Sequence, residues 1–333
     1  NITDAQINDA LAFLQSLSGP VPRRGDQRLV LPKIDWQINS KNSFSINYNR
    51  LRWDSPAGIQ TQATNTWGNH SFGDDFVKID WGTARLISTV TPRLVNEFRV
   101  QIARDFEFEH PQPPAPGEPT TSIKGSVPEV VLTNGLTFGK ANFLDRAKYP
   151  DERRYQFTDN VSWSIGSSIL KFGLDINHVK NDLSNLRYES GSFAYSNIDD
   201  FIIDYTNWKV GLPATVNCVN NTTRFRGKCY TSNFLQGFGP LGAQLATNDI
   251  NLYGQFDWRF RPRVNFSFGL RYEYEAMPSP QIPYTTAAQI PNLNLTLDQA
   301  TGHLPNNKTN FGPRAGFTIA LTGDGKTALR GGY

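Results

Sequence analysis

Cys218 and Cys229 stand eleven residues apart in a polar, loop-like stretch and are the chain's two cysteines. Two are too few for a disulfide scaffold, and no histidine stands at zinc-ligand spacing from them. A single loop disulfide, formed in an oxidising compartment, is the chemistry the pair suits best; two free thiols are the alternative. Phe225, Tyr230 and Phe234 in the same loop are candidates for ligand contact, although aromatic loops also pack on one another. The four histidines, His70, His110, His178 and His303, are scattered with no H-E-x-x-H pattern, so no metal site is expected. Gly237-Phe238-Gly239-Pro240-Leu241-Gly242 satisfies G-x-G-x-x-G, but no strand leads into it and no βαβ unit surrounds it, so it reads as loop glycine. Gly325-Lys326-Thr327 echoes a phosphate loop, yet Ala320 stands where the first glycine would be; it reads as a hairpin turn. There is no G-x-S-x-G for a serine hydrolase. Charged residues such as Arg271, Glu273 and Asp257 suit a hydrated ladder across neighbouring strands better than a catalytic pair. The expectation is a protein without catalytic residues, cofactor or metal.

The elements that would position these residues are strands. From Val264 to Glu275, Val264, Phe266, Phe268, Leu270, Tyr272 and Tyr274 share one face, while Asn265, Ser267, Gly269, Arg271, Glu273 and Glu275 share the other. Upstream, Leu252, Gly254, Phe256, Trp258 and Phe260 alternate with Tyr253, Gln255, Asp257 and Arg259. Arg261-Pro262-Arg263 joins the two runs as a tight turn in which proline pre-sets φ. Period two sustained over twelve residues exceeds the ~5–6 of an ordinary strand.

The same hairpin recurs with turns at 39–42, 91–93, 166–168 and 323–326, giving about ten strands in five hairpins. Trp36, Trp81, Trp163 and Trp258 each precede a tight turn. The connections at the other end are long, about 52–73, 110–150, 182–248 and 276–310, against an ordinary median near ~4–6 residues. An antiparallel transmembrane β-barrel accounts for both features. In lipid every backbone polar group must be paired, and each tilted strand needs ~9–11 residues, apolar towards lipid and polar towards the lumen. Short turns then face the periplasm, long loops face outwards, and the four tryptophans form an aromatic girdle at headgroup level. Arg104 and Asp159 fall at lipid-facing positions, so they are expected either high on the wall or where the register slips.

Two helices are expected within the loops. Thr3 to Leu17 carries Ile7, Ala10, Leu11 and Leu14 at helical spacing, with Thr3 as N-cap and Gly19 as stop, and a second helix is expected near 198–208. Pro111, Pro113, Pro114, Pro116 and Pro119 suggest a stiff, extended spacer.

Composition agrees with strands. In 333 residues there are 22 Phe, 12 Tyr and 7 Trp, yet only 38% are hydrophobic, as strands oily on one side would give. Net charge is +3 with no basic block, which gives no sign of a nucleic-acid partner. No stretch approaches the ~18 apolar residues of a membrane-spanning helix. The chain opens at Asn1 without a charged-then-apolar leader, which reads as an absent N-terminal part.

Leu252-Tyr253-Gly254-Gln255-Phe256-Asp257-Trp258, Arg261-Pro262-Arg263 and Phe268-Gly269-Leu270-Arg271-Tyr272-Glu273-Tyr274 resemble the recurring barrel hairpin of TonB-dependent outer-membrane receptors. Gly312-Pro313-Arg314-Ala315-Gly316-Phe317, Thr322-Gly323-Asp324-Gly325-Lys326-Thr327 and Leu329-Arg330-Gly331-Gly332-Tyr333 resemble the Oar-like subgroup, as do Gly19-Pro20-Val21-Pro22-Arg23 and Trp53-Asp54-Ser55-Pro56-Ala57-Gly58. The resemblance implies a 22-stranded barrel in the outer membrane, closed by an N-terminal plug that an inner-membrane energy-transducing complex of TonB type opens through a short N-terminal box. On this reading residues 1–333 are one part of the barrel domain, without plug or box, and the partners are outer-membrane lipid, that complex through the missing N-terminal region, and an unknown extracellular ligand. The implied activity is transport of an unknown substrate; a barrel-anchored surface structural or adhesion protein is the alternative.

Overall fold

Alternation of apolar and polar residues produces long antiparallel strands, and pairing between successive strands builds one wall. The computed structural model describes residues 2–21, 23–58, 66–120, 126–133, 135–212, 233–279, 289–291, 294–302, 304, 306–324 and 326–333. The wall strands are β1 (Asp26–Val30), β2 (Lys33–Asn39), β3 (Asn42–Ser55), β5 (Gly73–Thr91), β6 (Leu94–Pro111), β9 (Arg146–Ile165), β10 (Ser168–Asn185), β13 (Gly242–Arg261), β14 (Val264–Ala276), β15 (Phe311–Ala320) and β16 (Ala328–Gly332). Helix α1 (Asp4–Ser16) precedes β1, and the long connections carry helices α2 (Ile198–Lys209) and α3 (Leu297–Thr301). They also carry short strands β4 (Thr66–Trp67), β7 (Glu129–Leu132), β8 (Leu136–Phe138), β11 (Ser192–Tyr195) and β12 (Asn233–Leu235).

The wall is an eleven-stranded sheet in the order β1-β3-β5-β6-β9-β10-β13-β14-β15-β16, with β2 also on β3. β1 lies opposite Arg50–Asp54 and β2 opposite Asn42–Asn47, so both share one edge of β3. They are one stave interrupted at Leu31-Pro32, because proline has no N–H to add to the ladder; Tyr48 N–H instead reaches the Pro32 carbonyl at 3.0 Å. Ten staves therefore stand side by side. Among the described residues the outermost staves pair on one edge only, and the sheet is an open wall.

The staves run further than period two alone indicates. β9 and β13 each span 20 residues and β5 spans 19, twice what one membrane crossing requires. The additional length lies at the long-connection end, as in Arg146–Arg154, where both faces are polar and alternation disappears. Backbone pairing continues there regardless, with Glu152 opposite Asn181 and Asp151 opposite Asp182.

At the same end a cap is assembled from four distant segments, the stretch before β1 and three long connections. Its five-stranded sheet has the order β12-β11-β7-β8-β4. α1 starts at a capping box in which Thr3 and Gln6 satisfy each other's backbone N–H groups. α1 and α2 close on the sheet around Ala10, Phe13, Leu17, Phe138, Phe201 and Tyr205, all at most 6% exposed. Phe138, fully buried, meets Phe13 edge to face at 5.5 Å and Phe201 at 5.7 Å, the geometry favoured by aromatic quadrupoles.

Candidate functional site

Cross-strand register sorts the wall's side chains onto two chemically distinct faces. Phe44, Leu86, Phe98, Leu174, Leu252, Tyr272 and Phe311 lie in one continuous cross-strand row on the apolar face. Their neighbours along the strands, such as Phe157, Phe172, Phe268 and Leu270, keep that face oily, and each of these four is 47–52% exposed. An exposed apolar surface spanning this many strands is far larger than a soluble monomer carries, and it needs a nonaqueous partner.

Trp36, Trp163 and Trp258 stand on this face near the short turns, and are 58, 45 and 39% exposed. Trp81 does not, which corrects its assignment to the girdle. It pairs in register with Asn49 and Ala103 on the opposite, polar face, and ten residues separate it from the turn at Thr91. Proximity in sequence to a turn is no guide when the strand runs on for 19 residues.

The two charges expected to be awkward are resolved differently. Arg104 lies beyond the apolar band and grips Asp151 through Nε at 2.7 Å and Nη2 at 3.0 Å. Asp159 stays in register within the band, between Phe98 and Leu174, with its Oδ1 accepting from Asn96 Nδ2 at 2.6 Å.

The polar face carries a hydrogen-bonded ladder. Lys171 meets Asp257 at 3.0 Å, Gln156 and Thr158 both donate to Asp175, and Tyr253 donates to Asn160 at 2.8 Å. Asp257 therefore pairs across strands with Lys171, whereas Arg271 and Glu273 pair within β14 at 2.6 Å. Near the long-connection end Asp75, Glu107 and Glu109 place carboxylate oxygens within 4.8 Å of one another. Arg146 bridges to Glu109 at 3.1 Å and offsets part of that charge.

The cap is fastened to the staves it stands on. His110 Nδ1 lies 2.8 Å from Asp145, and Asn185 donates to the Phe143 carbonyl at 2.5 Å. Within the cap, buried Glu129 accepts from Asn142 and from the Ser192 hydroxyl. The proline-rich segment is not the extended spacer its composition suggests. Ala115-Pro116-Gly117-Glu118 closes a turn with Glu118 N–H on the Ala115 carbonyl at 3.1 Å and Gly117 at φ +84°, the pattern of a type II turn. Glu118 is buried beneath it and accepts from the Ala115 and Gly139 N–H groups, while burial holds its pKa above the usual glutamate value.

A cavity of about 230 Å³ opens in the cap, walled by Pro128, Phe193, Tyr195, Tyr205 and Trp208. Asp204 supplies a carboxylate, which accepts from the Tyr195 hydroxyl at 2.5 Å. Such a lining offers aromatic stacking with a polar anchor. Phe234, a sequence candidate for ligand contact, packs on Phe193 with ring centres 4.8 Å apart. Cys218, Cys229, Phe225, Tyr230 and His303 lie outside the described residues. Of the remaining histidines, His70 approaches the Pro113 carbonyl and His178 the Asn248 side chain, so the structure does not gather them.

The model of one protein family, described as outer membrane beta barrel domain, matches residues 5–333. The chain belongs to this outer-membrane β-barrel family. The family places the protein in the outer membrane, and the apolar face with its exposed aromatics is the surface that meets lipid. Solved structures agree on the fold. A Pseudomonas aeruginosa FpvA bound to heterologous pyoverdines is 8% identical with a TM-score of 0.50, over 90% of this chain and 34% of that one. A mutant of the ferric enterobactin receptor PfeA from Pseudomonas aeruginosa is 11% identical with a TM-score of 0.50, over 93% and 36%. The chain thus spans about a third of the length of these structures. No curated protein matches the sequence.

Proposed function

We propose that this β-barrel chain is part of the wall and outer cap of a TonB-dependent receptor of the Oar-like type, and that it takes up a ligand by binding, without chemistry of its own. The observation that carries the reading is the cap. The segment before β1 and two long connections from one end of the wall fold around a single core, and the two connections enclose an aromatic cavity with Asp204 at its edge. Barrel loops that only linked strands would have no need of a shared core. The hairpin motifs and the likeness in fold to receptors for pyoverdine and ferric enterobactin support transport as the use of that cap. In a receptor of this type the captured ligand passes through the barrel once a plug is displaced by the energy-transducing complex.

The test uses the full-length protein and the purified periplasmic domain of the cell's TonB-type protein. Saturable binding between them, abolished when the N-terminal box of the receptor is deleted, is expected. Absence of binding by a correctly folded, full-length receptor overturns transport and favours a surface structural or adhesion role anchored by the barrel.

A further inference from the structure

The connection that follows β6 leaves the wall at Pro111 and returns to it at Arg146, the first residue of β9. Between these points it supplies β7, β8 and one side of the cap cavity, where Pro119, Pro128 and Val130 line it together with Phe193, Tyr205 and Trp208 from the connection that carries α2. How firmly its two ends are held together therefore bears on how that cavity is closed. Two pairs of side chains hold this neck, one on each face of the wall. On the polar face Glu109 and Arg146 stand opposite each other in register and meet at 3.1 Å. On the other face, one residue further from the wall on either side, His110 Nδ1 meets Asp145 Oδ1 at 2.8 Å.

The two pairs respond to pH in opposite directions. Arg146 stays protonated throughout, and burial raises the Glu109 carboxyl above its ordinary value, so that pair gains charge as pH rises. Histidine, in contrast, loses its charge somewhere between about pH 5 and 8. Protonated, the imidazole forms an ion pair with Asp145; neutral, it keeps at most one ordinary hydrogen bond. Asp74 of β5 stands opposite His110 in register, and accepts from the Ala57 N–H at 2.8 Å and from the Gln112 amide. Asp54 of β3 lies one stave further, opposite Phe76. The cations on this face of β5 and β6 are engaged elsewhere, Lys78 at 4.7 Å from the centre of the Phe108 ring and Arg104 on Asp151. His70 also reaches the connection, at 3.1 Å from the Pro113 carbonyl, a contact that a neutral imidazole can keep, and its charge acts on Glu118. A neck that loosens as pH rises therefore points to His110.

We propose that His110 is a pH-sensitive clasp at the neck of this connection, closed on Asp145 in mildly acidic surroundings and loosened towards neutral pH, so that one side of the cap cavity is freer to move when the medium is not acidic. The side chains of His110 and Asp145 are 46 and 41% exposed, so the change is graded and not all-or-none. The proposal rests on the ligand-binding reading of the cap only for what the freed side of the cavity admits; the clasp itself is a property of the neck.

Hydrogen–deuterium exchange of the purified full-length protein in detergent reads the neck directly, in peptides covering 112–119 and 139–145, after correction for the intrinsic pH dependence of exchange. Glu118→Gln is the background throughout, which removes the buried glutamate of the same connection. Protection is expected to fall about threefold from about pH 5.5 to about pH 7.5, the scale that a half-exposed ion pair supports. His110→Gln and Asp145→Asn should show low protection at both pH values and His110→Lys high protection at both, each with the heat-modifiable gel band of a folded barrel. His178→Gln, which alters a histidine bound to Asn248 on the wall, should behave as the background does. Protection that does not change with pH in the background overturns the proposal, whether or not the neck variants fold. So does a pH dependence that survives in His110→Gln, or one that is lost equally in His178→Gln. Failure of the receptor to bind the TonB-type protein would leave these outcomes as they are, so the two readings fail separately.

Discussion

Asp159 shows how one residue can break the apolar pattern of the wall without breaking the wall. Its carboxylate sits between Phe98 and Leu174 on the lipid-facing surface and is held by the Asn96 amide at 2.6 Å. A charged acceptor out of water depends strongly on such a donor, and removing one partner costs more than removing both. Asn96→Ala is therefore expected to destabilise the folded barrel by about 1.5–3 kcal/mol, the worth of a hydrogen bond to a charged group. The double change Asn96→Leu, Asp159→Leu should be close to neutral or stabilising. Urea unfolding of the full-length protein in detergent micelles, followed by tryptophan fluorescence, reads both. A neutral Asn96→Ala would mean that water reaches Asp159 and that this position lies outside the hydrocarbon. The pattern of alternation named Asp159 as an exception, but its donor comes from 63 residues away and is visible only in the register. Trp81 teaches the complementary lesson. Its residue type suited a girdle, and its parity and distance from the turn assign it to the polar face.

At the scale of elements, local chemistry explains what the sequence made legible. Period two and proline- or glycine-bearing turns define the hairpins, and Thr3 with Gln6 writes the start of α1 as a capping box. The upper halves of the staves were not legible, because beyond the crossing both faces meet water and nothing enforces alternation. The fold of the proline-rich segment was also hidden. Five prolines look like a spacer, whereas Ala115-Pro116-Gly117-Glu118 turns back so that Gly117 can lie against Phe13 and Tyr205. Burial of Glu118 under that turn penalises its carboxylate and outweighs the two backbone donors, raising its pKa above the ordinary 4.5. Folding therefore favours the protonated form. Its contribution to cap stability is fully present below the unfolded value and is lost as pH rises through the raised one. The cap should thus resist proteolysis better near pH 4 than near pH 7, and Glu118→Gln, which stays neutral, should flatten that dependence. An unchanged slope in the variant would assign the pH effect to other groups.

At the scale of the molecule, the wall and the cap differ in how they are encoded. The wall is built from neighbours in sequence, so hairpin after hairpin could be anticipated. The cap joins residues up to 200 positions apart, as where the Gln6 amide donates to the Thr206 hydroxyl at 3.0 Å and Lys209 meets Asp9 at 2.5 Å. No periodicity reports such a contact, and loop-closure entropy makes it depend on the wall bringing the segments together first. The central claim is that one face of the wall lies against lipid and the other against water. It is tested most directly along β13, by single cysteines at positions 250 to 256 in a full-length background lacking Cys218 and Cys229, reconstituted in lipid vesicles. Replacements of Asn251, Tyr253 and Gln255 should react with a water-soluble maleimide, while those of Ile250, Leu252, Gly254 and Phe256 should resist it and, once labelled, be quenched by a lipid-soluble spin probe. Uniform reactivity along the strand, or quenching of the odd-numbered positions, would contradict the account.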